Sequence, residues 1–171
     1  MSRKPKIAIA GLLAAAAAVA TSAGAATTSN RVLAFKTVNR GTVPFNLPGA
    51  TKPAWAQVVN NVVNAPGQGE EVDFRTYFGV YAYVMRPTSG YSLTIRRILL
   101  QRLGGYRQIC AVAAVSKPTG AVTQVRSMSA HYVKIKRGRL GLNVPDHIVL
   151  REQHGGVLYA DPGSRSTACK G

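Results

Sequence analysis

The sequence predicts a mainly β protein, built as an antiparallel sandwich or a partly open barrel with one short helix near its N-terminus. From Val72 onward, short segments rich in valine, isoleucine and tyrosine follow one another at close spacing. Turn signals such as Pro87-Thr88-Ser89-Gly90 and Gly104-Gly105 separate these segments. This succession of short strands and turns is typical of sandwiches and barrels.

One segment has helical spacing instead. A tryptophan and three valines recur at helical intervals between Trp55 and Val62, after Pro53 in a position suited to a first turn. The spacing predicts a short amphipathic helix over about residues 53–64. Because its valines and asparagines are mediocre helix formers, packing of the Trp55 face would have to stabilise it.

The predicted strands differ in whether one face or both faces are apolar. Aromatic and aliphatic residues alternate over 76–85, and the next strand changes phase at Arg96-Arg97, which predicts a β-bulge. Residues 106–115 are apolar on both faces and predict a central strand. Further strands are predicted at 31–38, 121–126, 131–136, 140–144, 147–152 and 157–159.

The N-terminus has the organisation of a secretory signal peptide. A basic region from Arg3 to Lys6 precedes an uncharged, alanine-rich run over 7–20, and a small-residue cleavage pattern ends at Ala25. The apolar run is short compared with the roughly 20 residues that a membrane-spanning helix needs. We therefore expect cleavage of residues 1–25 and export of residues 26–171 as a single domain to the periplasm or the extracellular space, with no transmembrane segment.

The two cysteines, Cys110 and Cys169, belong to a chain expected to pass through an oxidising compartment. We expect them to form one disulfide that joins the C-terminal tail to a core strand. The alternative is that Cys110 is a small buried apolar residue and Cys169 lies in a frayed tail.

Basic residues greatly outnumber acidic ones. The chain has 22 lysines and arginines against 6 acidic residues, which gives a formal net charge of +16. Outside the cytoplasm this surplus attracts anionic envelope polymers, although scattered charge also serves solubility and general surface adhesion. No specific nucleic-acid recognition is expected. The one dense run is the candidate polyanion site, formed by Lys134, Lys136, Arg137 and Arg139.

Few residues have the spacing that catalysis requires. Glu70 and Glu71 lie in a glycine-rich segment, and His131, His147 and His154 do not have a metal-ligand spacing. The sequence contains no nucleophile elbow and no phosphate-binding glycine loop. We expect a non-catalytic binding protein with no cofactor and no metal.

The segment Arg86–Tyr91 is the most informative one in the chain. Pro87 fixes the backbone angle that enters a turn and Gly90 permits a positive φ, so a tight turn alone would select these residues. A role in partner binding would select them as well. Both interpretations stay open on the sequence alone.

The order of motifs over residues 70–137 resembles the C-terminal domain of the protease complex subunit PrcB family. Val72-Asp73-Phe74, the Arg-Pro-Thr-Ser-Gly-Tyr turn, Thr123-Gln124 and His131-Tyr132 carry this resemblance over about half of the exported chain. It implies a non-catalytic β domain that binds and stabilises a protein partner, a secreted or cell-surface protease. It implies partner-binding roles for Arg86, Pro87, Thr88, Ser89, Gly90, Tyr91, Gln124, His131 and Tyr132.

The turn and the C-terminal segment give two further expectations. The turn is also similar to the Asn-Pro-Thr-Thr-Gly-Tyr loop of chagasin-type protease inhibitors, with Arg86 in place of the asparagine, and this similarity implies inhibition by loop insertion. Residues 138–171 lie beyond the PrcB-like segment and are expected to form a C-terminal β-hairpin extension.

Overall fold

The computed structural model describes residues 28–42, 51–61, 72–140 and 143–169. The predicted signal peptide lies outside these residues. Nine strands run through the described part of the chain: β1 Thr28–Leu33, β2 Lys36–Thr42, β3 Ala54–Val59, β4 Tyr77–Arg86, β5 Ser92–Leu103, β6 Tyr106–Ser116, β7 Ser127–Lys136, β8 Ile148–Glu152 and β9 Val157–Ala160. Two short 3-10 turns follow β7 and β9, at Gly138–Leu140 and Ser166–Ala168.

The strands form two sheets that pack face to face as a sandwich. The five-stranded sheet has the order β1-β5-β6-β8-β9, and the four-stranded sheet has the order β2-β7-β4-β3. Neighbouring strands are antiparallel except β6 and β8, which are parallel. The predicted mainly β sandwich is confirmed. None of the described residues belongs to a helix long and apolar enough to cross a bilayer.

The hydrophobic core fills the space between the sheets. Alternate residues of β4, among them Phe78 and Val80, meet Ile98 of β5 and Ile109 of β6 there. The intervening residues of β4 point to the outer face of the four-stranded sheet, where Tyr83 is also fully buried. Both faces of β4 are therefore covered, and its predicted alternation is confirmed.

The predicted helix over residues 53–64 is wrong where the structure describes it, because Ala54–Val59 is the edge strand β3. Its backbone pairs with β4 in antiparallel register, with Trp55 opposite Tyr83. Ala54 and Ala56 enter the core between the sheets, while Trp55 packs on the outer face. Residues 62–64 of the predicted helix lie outside the described residues.

Three other predicted strands differ from the structure. Residues 121–126 form an irregular loop, and the described residues of 140–144 contain the end of a 3-10 turn and irregular backbone. The predicted strand at 31–38 is two strands, because the chain leaves the five-stranded sheet after Leu33 and joins the four-stranded sheet at Lys36.

The predicted bulge in β5 is confirmed, since the register between β5 and β6 shifts between Ile95 and Arg97. Beside it, the first half of β5 contacts β7 of the other sheet. Ser129 Oγ accepts a hydrogen bond from the Leu93 N–H at 3.0 Å, and His131 Nδ1 accepts one from the Ile95 N–H at 2.8 Å. These side chains connect the two sheets along one side of the sandwich.

The C-terminal segment packs against the five-stranded sheet. β8 and β9 form an antiparallel hairpin, and the tail then crosses the outer face of the sheet. The predicted disulfide between Cys110 and Cys169 is present, with the two Cα atoms 5.6 Å apart. The buried Gln101 and Gln108 side chains bond to each other and to backbone carbonyls of the tail.

Candidate partner-binding surface

The turn at 87–91 and the loop between β6 and β7 lie side by side at one end of the sandwich. The Ser89 N–H donates to the Thr123 carbonyl at 3.2 Å, and the Thr123 N–H donates to Ser89 Oγ at 3.2 Å. Ser127 Oγ donates to the Thr88 carbonyl at 2.8 Å. These three hydrogen bonds, which we call the latch, fix the turn and the loop in one arrangement.

Gly90 allows the turn to pack this closely on the loop. Its φ is +83°, in the left-handed region that favours glycine. A Cβ atom at this position would lie 2.8 Å from the Pro118 Cβ and 3.5 Å from Val122 Cγ1. The predicted positive φ is therefore confirmed, and the glycine is also required by the contact between turn and loop.

The latched segments expose both apolar and polar side chains. Pro87 and Gln124 are exposed, and Val125 has 59% of its surface accessible, while Tyr91 is half-buried. Neither segment 86–92 nor segment 116–126 contains an acidic residue. We call the exposed part of 87–91 and 117–126 the loop surface.

A shallow groove of about 270 Å³ adjoins the loop surface. It is lined by Thr51, Pro53, Met85, Arg86, Pro87 and Arg126. The Met85 N–H donates to the Pro53 carbonyl at 2.8 Å, so the segment before β3 forms a fixed wall of the groove. Of these residues only Arg86 and Pro87 were selected from the sequence: Pro53 was assigned to the predicted helix, and Arg126 lies close only because β4 pairs with β7.

Arg86 is held at the edge of this groove by Tyr91. The guanidinium carbon lies 5.8 Å from the centroid of the Tyr91 ring, within range of a cation–π interaction. The Nε atom is buried and has no hydrogen-bond partner in the part of the chain that the structure describes. A buried donor without an acceptor is unusual, because desolvation of the N–H is not compensated.

His131 and Tyr132, which the resemblance assigns to partner binding, do not lie on the loop surface, and both are buried. His131 is 2% exposed, and its Nδ1 accepts from Ile95. Its Nε2 therefore carries the proton and bonds to Thr37 Oγ1 at 2.9 Å. Burial, with further contributions from Arg40 and Arg96, lowers the pKa of His131 to about 4.

Tyr132 belongs to an aromatic cluster on the outer face of the four-stranded sheet. Its ring packs edge-on against Tyr81 at 6.1 Å and occupies the space that a side chain at Gly79 would need. Burial raises the pKa of Tyr132 to about 12 and also raises the pKa of Tyr81. These residues pack the sheet.

The dense basic run is divided between structural and surface positions. Arg137 is only 6% exposed, and its Nε donates to the carbonyls of Phe74 and Tyr77 at 2.9 and 3.0 Å. Its Nη2 donates to the Asn60 carbonyl at 3.2 Å. Arg137 is therefore a structural residue, which corrects its assignment to a polyanion-binding surface, while the Arg139 side chain lies outside the described residues.

Three lysines gather at one end of the four-stranded sheet. Lys36 of β2 lies directly opposite Lys134 of β7, and Lys136 lies opposite Tyr77 of β4. The Lys134 ammonium is 5.6 Å from the centroid of the Tyr77 ring. Like charges opposite each other on neighbouring strands repel, so an anion bound here would stabilise the pair. Lys36 was not selected from the sequence, because only strand pairing brings it close to Lys134.

A further pair of titratable residues, His147 and Asp161, was not selected from the sequence. His147 Nδ1 lies 3.2 Å from Asp161 Oδ2, and the Tyr106 ring stacks on the imidazole at a centroid distance of 5.3 Å. The pair joins the start of β8 to the C-terminal tail. Among the residues that the structure describes, no three histidine, cysteine, aspartate or glutamate side chains are grouped so that they could bind a metal ion.

Comparison with known proteins adds no relative to these observations. No protein-family model matches the chain, and no curated protein or solved structure matches it.

Proposed function

We propose that this protein is an exported, non-catalytic accessory protein that binds a protein partner through the loop surface. The latch between Ser89 and Thr123 is the observation that carries the proposal. A fixed pair of loops loses little conformational entropy on binding, which favours recognition of one partner in one orientation. The resemblance to the PrcB family suggests a secreted or cell-surface protease as that partner.

The composition of the loop surface supports a protein partner. Val125 and Pro87 supply exposed apolar area, while Arg86 and Arg126 supply positive charge beside it. An apolar centre with charged residues at its margin is typical of protein interfaces. A partner with an acidic surface would complement this margin.

The test is capture of the partner from the cell envelope by the tagged, exported protein. We expect one protein in stoichiometric amount, and we expect Val125→Asp to reduce its capture at least tenfold. Val157→Asp is the matched control, because Val157 is also exposed but lies on β9 outside the loop surface. Recovery of anionic material alone, or equal loss with both variants, would contradict the proposal.

The partner, once captured, also distinguishes a stabiliser from an inhibitor. If the partner is a protease, titration with this protein should leave its activity intact or extend its lifetime. Stoichiometric loss of activity would instead support loop-insertion inhibition of the chagasin type.

A second candidate function is binding of an envelope polyanion by Lys36, Lys134 and Lys136. The pairing of Lys36 with Lys134 on neighbouring strands favours it. Binding of polyphosphate should fall steeply as salt rises, because each lysine that neutralises a phosphate releases a counterion from the polymer. The double substitution K36E/K136E should weaken binding as well. The double variant R102E/R107E on the other sheet removes the same charge and should change binding less; an equal loss would indicate general charge attraction.

A further inference from the structure

We infer that the groove beside Arg86 is a carboxylate site, which receives an aspartate or glutamate side chain from the protein partner. The inference rests on the proposed function, because it names the chemistry by which the partner is recognised. Three observations support it: an unsatisfied buried donor, a pre-positioned guanidinium and the composition of the groove walls.

The donor is Arg86 Nε. Its N–H is buried and donates to no acceptor among the described residues, while other atoms of the Arg86 side chain line the groove. A carboxylate oxygen in the groove meets this donor once the Arg86 side chain shifts toward it, and because a buried donor is costly to leave unpaired, the shift removes a penalty as well as forming a bond. Since the donor belongs to a charged group, an anionic oxygen gains more than a neutral one.

The guanidinium is positioned before the ligand arrives. The Tyr91 ring lies against it at 5.8 Å, and Pro87, the next residue, begins the turn that the latch fixes. Fixing a long side chain in advance lowers the entropy lost on binding. A planar guanidinium edge also matches the two oxygens of a carboxylate.

The walls of the groove favour a peptide side chain. Pro53, Met85 and Pro87 supply apolar surface that can contact the methylene groups of an aspartate or glutamate. Arg126 supplies a second positive charge, and none of the lining residues is acidic. A phosphate polymer has the charge for this site but no apolar stem for these walls.

Nuclear magnetic resonance can observe the donor directly. The exported protein, labelled with ¹⁵N, is titrated with acetyl-Gly-Asp-Gly-amide, acetyl-Gly-Asn-Gly-amide and inorganic phosphate at constant ionic strength. We expect a saturable shift of the Arg86 Nε–Hε signal with the aspartate peptide. Binding of the asparagine peptide and of phosphate should each be at least tenfold weaker.

Variants separate the site from general charge attraction. Arg86→Gln should weaken binding of the aspartate peptide at least tenfold, and Arg126→Gln should weaken it about threefold. Arg31→Gln removes the same charge from an exposed position on β1 and should change binding less than twofold. Circular dichroism and thermal unfolding establish that each variant is folded. A second variant, Tyr91→Leu, leaves the charge of Arg86 intact and should also weaken binding of the aspartate peptide.

Several outcomes would overturn the carboxylate site. Equal binding of the two peptides, tighter binding of phosphate than of the aspartate peptide, or an equal loss in the Arg86 and Arg31 variants would each do so. If Val125→Asp abolishes partner capture while Arg86→Gln leaves it unchanged, this inference fails and the proposed function stands. If the aspartate peptide binds at Arg86 but no partner is captured, the site stands and the proposed function fails.

Discussion

His131 bonds to the five-stranded sheet through Nδ1 and to the neighbouring strand β2 through Nε2, and this buried position determines its charge. Burial keeps the imidazole neutral in the folded protein, with a pKa of about 4, whereas in the unfolded chain its pKa stays near the ordinary value of 6.5. Above pH 6.5 both states are neutral. Between about pH 6.5 and 4 only the unfolded state takes up a proton, so the folded state loses stability as pH falls through this window.

This linkage gives a pH-dependent prediction. The free energy of unfolding should fall by on the order of 3 kcal/mol between pH 7 and pH 4 because of this one group. Substitution His131→Gln should remove that contribution, and His154→Gln, at an exposed position, should keep it. Urea unfolding at a series of pH values measures the difference, and parallel pH profiles for all three proteins would contradict it.

Arg137 illustrates why a run of basic residues in a sequence does not by itself indicate a charged binding surface. Its guanidinium binds three backbone carbonyls around the start of β4. Arg137→Gln should lower the free energy of unfolding by about 3 kcal/mol, because buried carbonyls lose charged donors. Lys136→Gln, which removes the same charge from an exposed neighbour, should change it by less than about 0.5 kcal/mol. Chemical denaturation distinguishes the two, and equal effects would assign only a charge contribution to Arg137.

Among the strands and turns, the features that could be predicted are those determined by residues adjacent in the sequence. The alternation in β4 and the bulge in β5 follow from single-strand patterns, and the turn at Pro87–Gly90 follows from the backbone needs of its residues. β3 could not be recognised, because it is apolar at nearly every position on both of its faces. Its Trp55, Val58 and Val59 then fit a helical period as well as a strand period.

Apart from Gln124, which the resemblance supplied, the candidate site was predictable only in its sequence-local part. Arg86 and its turn were found because neighbouring residues carry the motif. The partners of the turn, at Pro118 and Thr123, lie some thirty residues away, and the pairing of β5 with β6 and of β4 with β7 brings them close. The same limit explains why Lys36 and Arg126 were not selected.

The latch gives a prediction at the level of these elements. Gly90→Ala should lower the free energy of unfolding by about 2 kcal/mol, since alanine is strained at positive φ and its Cβ would press on Pro118. Gly120→Ala is the matched control, because a Cβ there would meet no atom within 4 Å. Thermal unfolding compares the two variants, and equal melting temperatures would show that the loop yields to the added methyl group.

Across the whole molecule, the C-terminal tail closes the outer face of the five-stranded sheet. Cys169 packs with Leu99, Val112 and Val149 around the Cys110 disulfide. Arg151 also binds the tail, because its Nη1 donates to the Cys169 carbonyl at 2.6 Å. The covalent bond and the noncovalent contacts therefore act on the same segment, and they can be separated experimentally.

The disulfide should stabilise the fold mainly by restricting the unfolded chain. Its cysteines are separated by 59 residues, and closing a loop of that size contributes about 4 kcal/mol in the chain-entropy treatment. The double variant C110A/C169A should lose about this much free energy of unfolding in denaturant titrations, while its native circular dichroism stays unchanged because the tail keeps its hydrogen bonds. Deletion of residues 161–171 should cost more, since Gln101 and Gln108 then lose the tail carbonyls that accept from them. If the double variant and the deletion lose equal stability, the tail contributes through the disulfide alone.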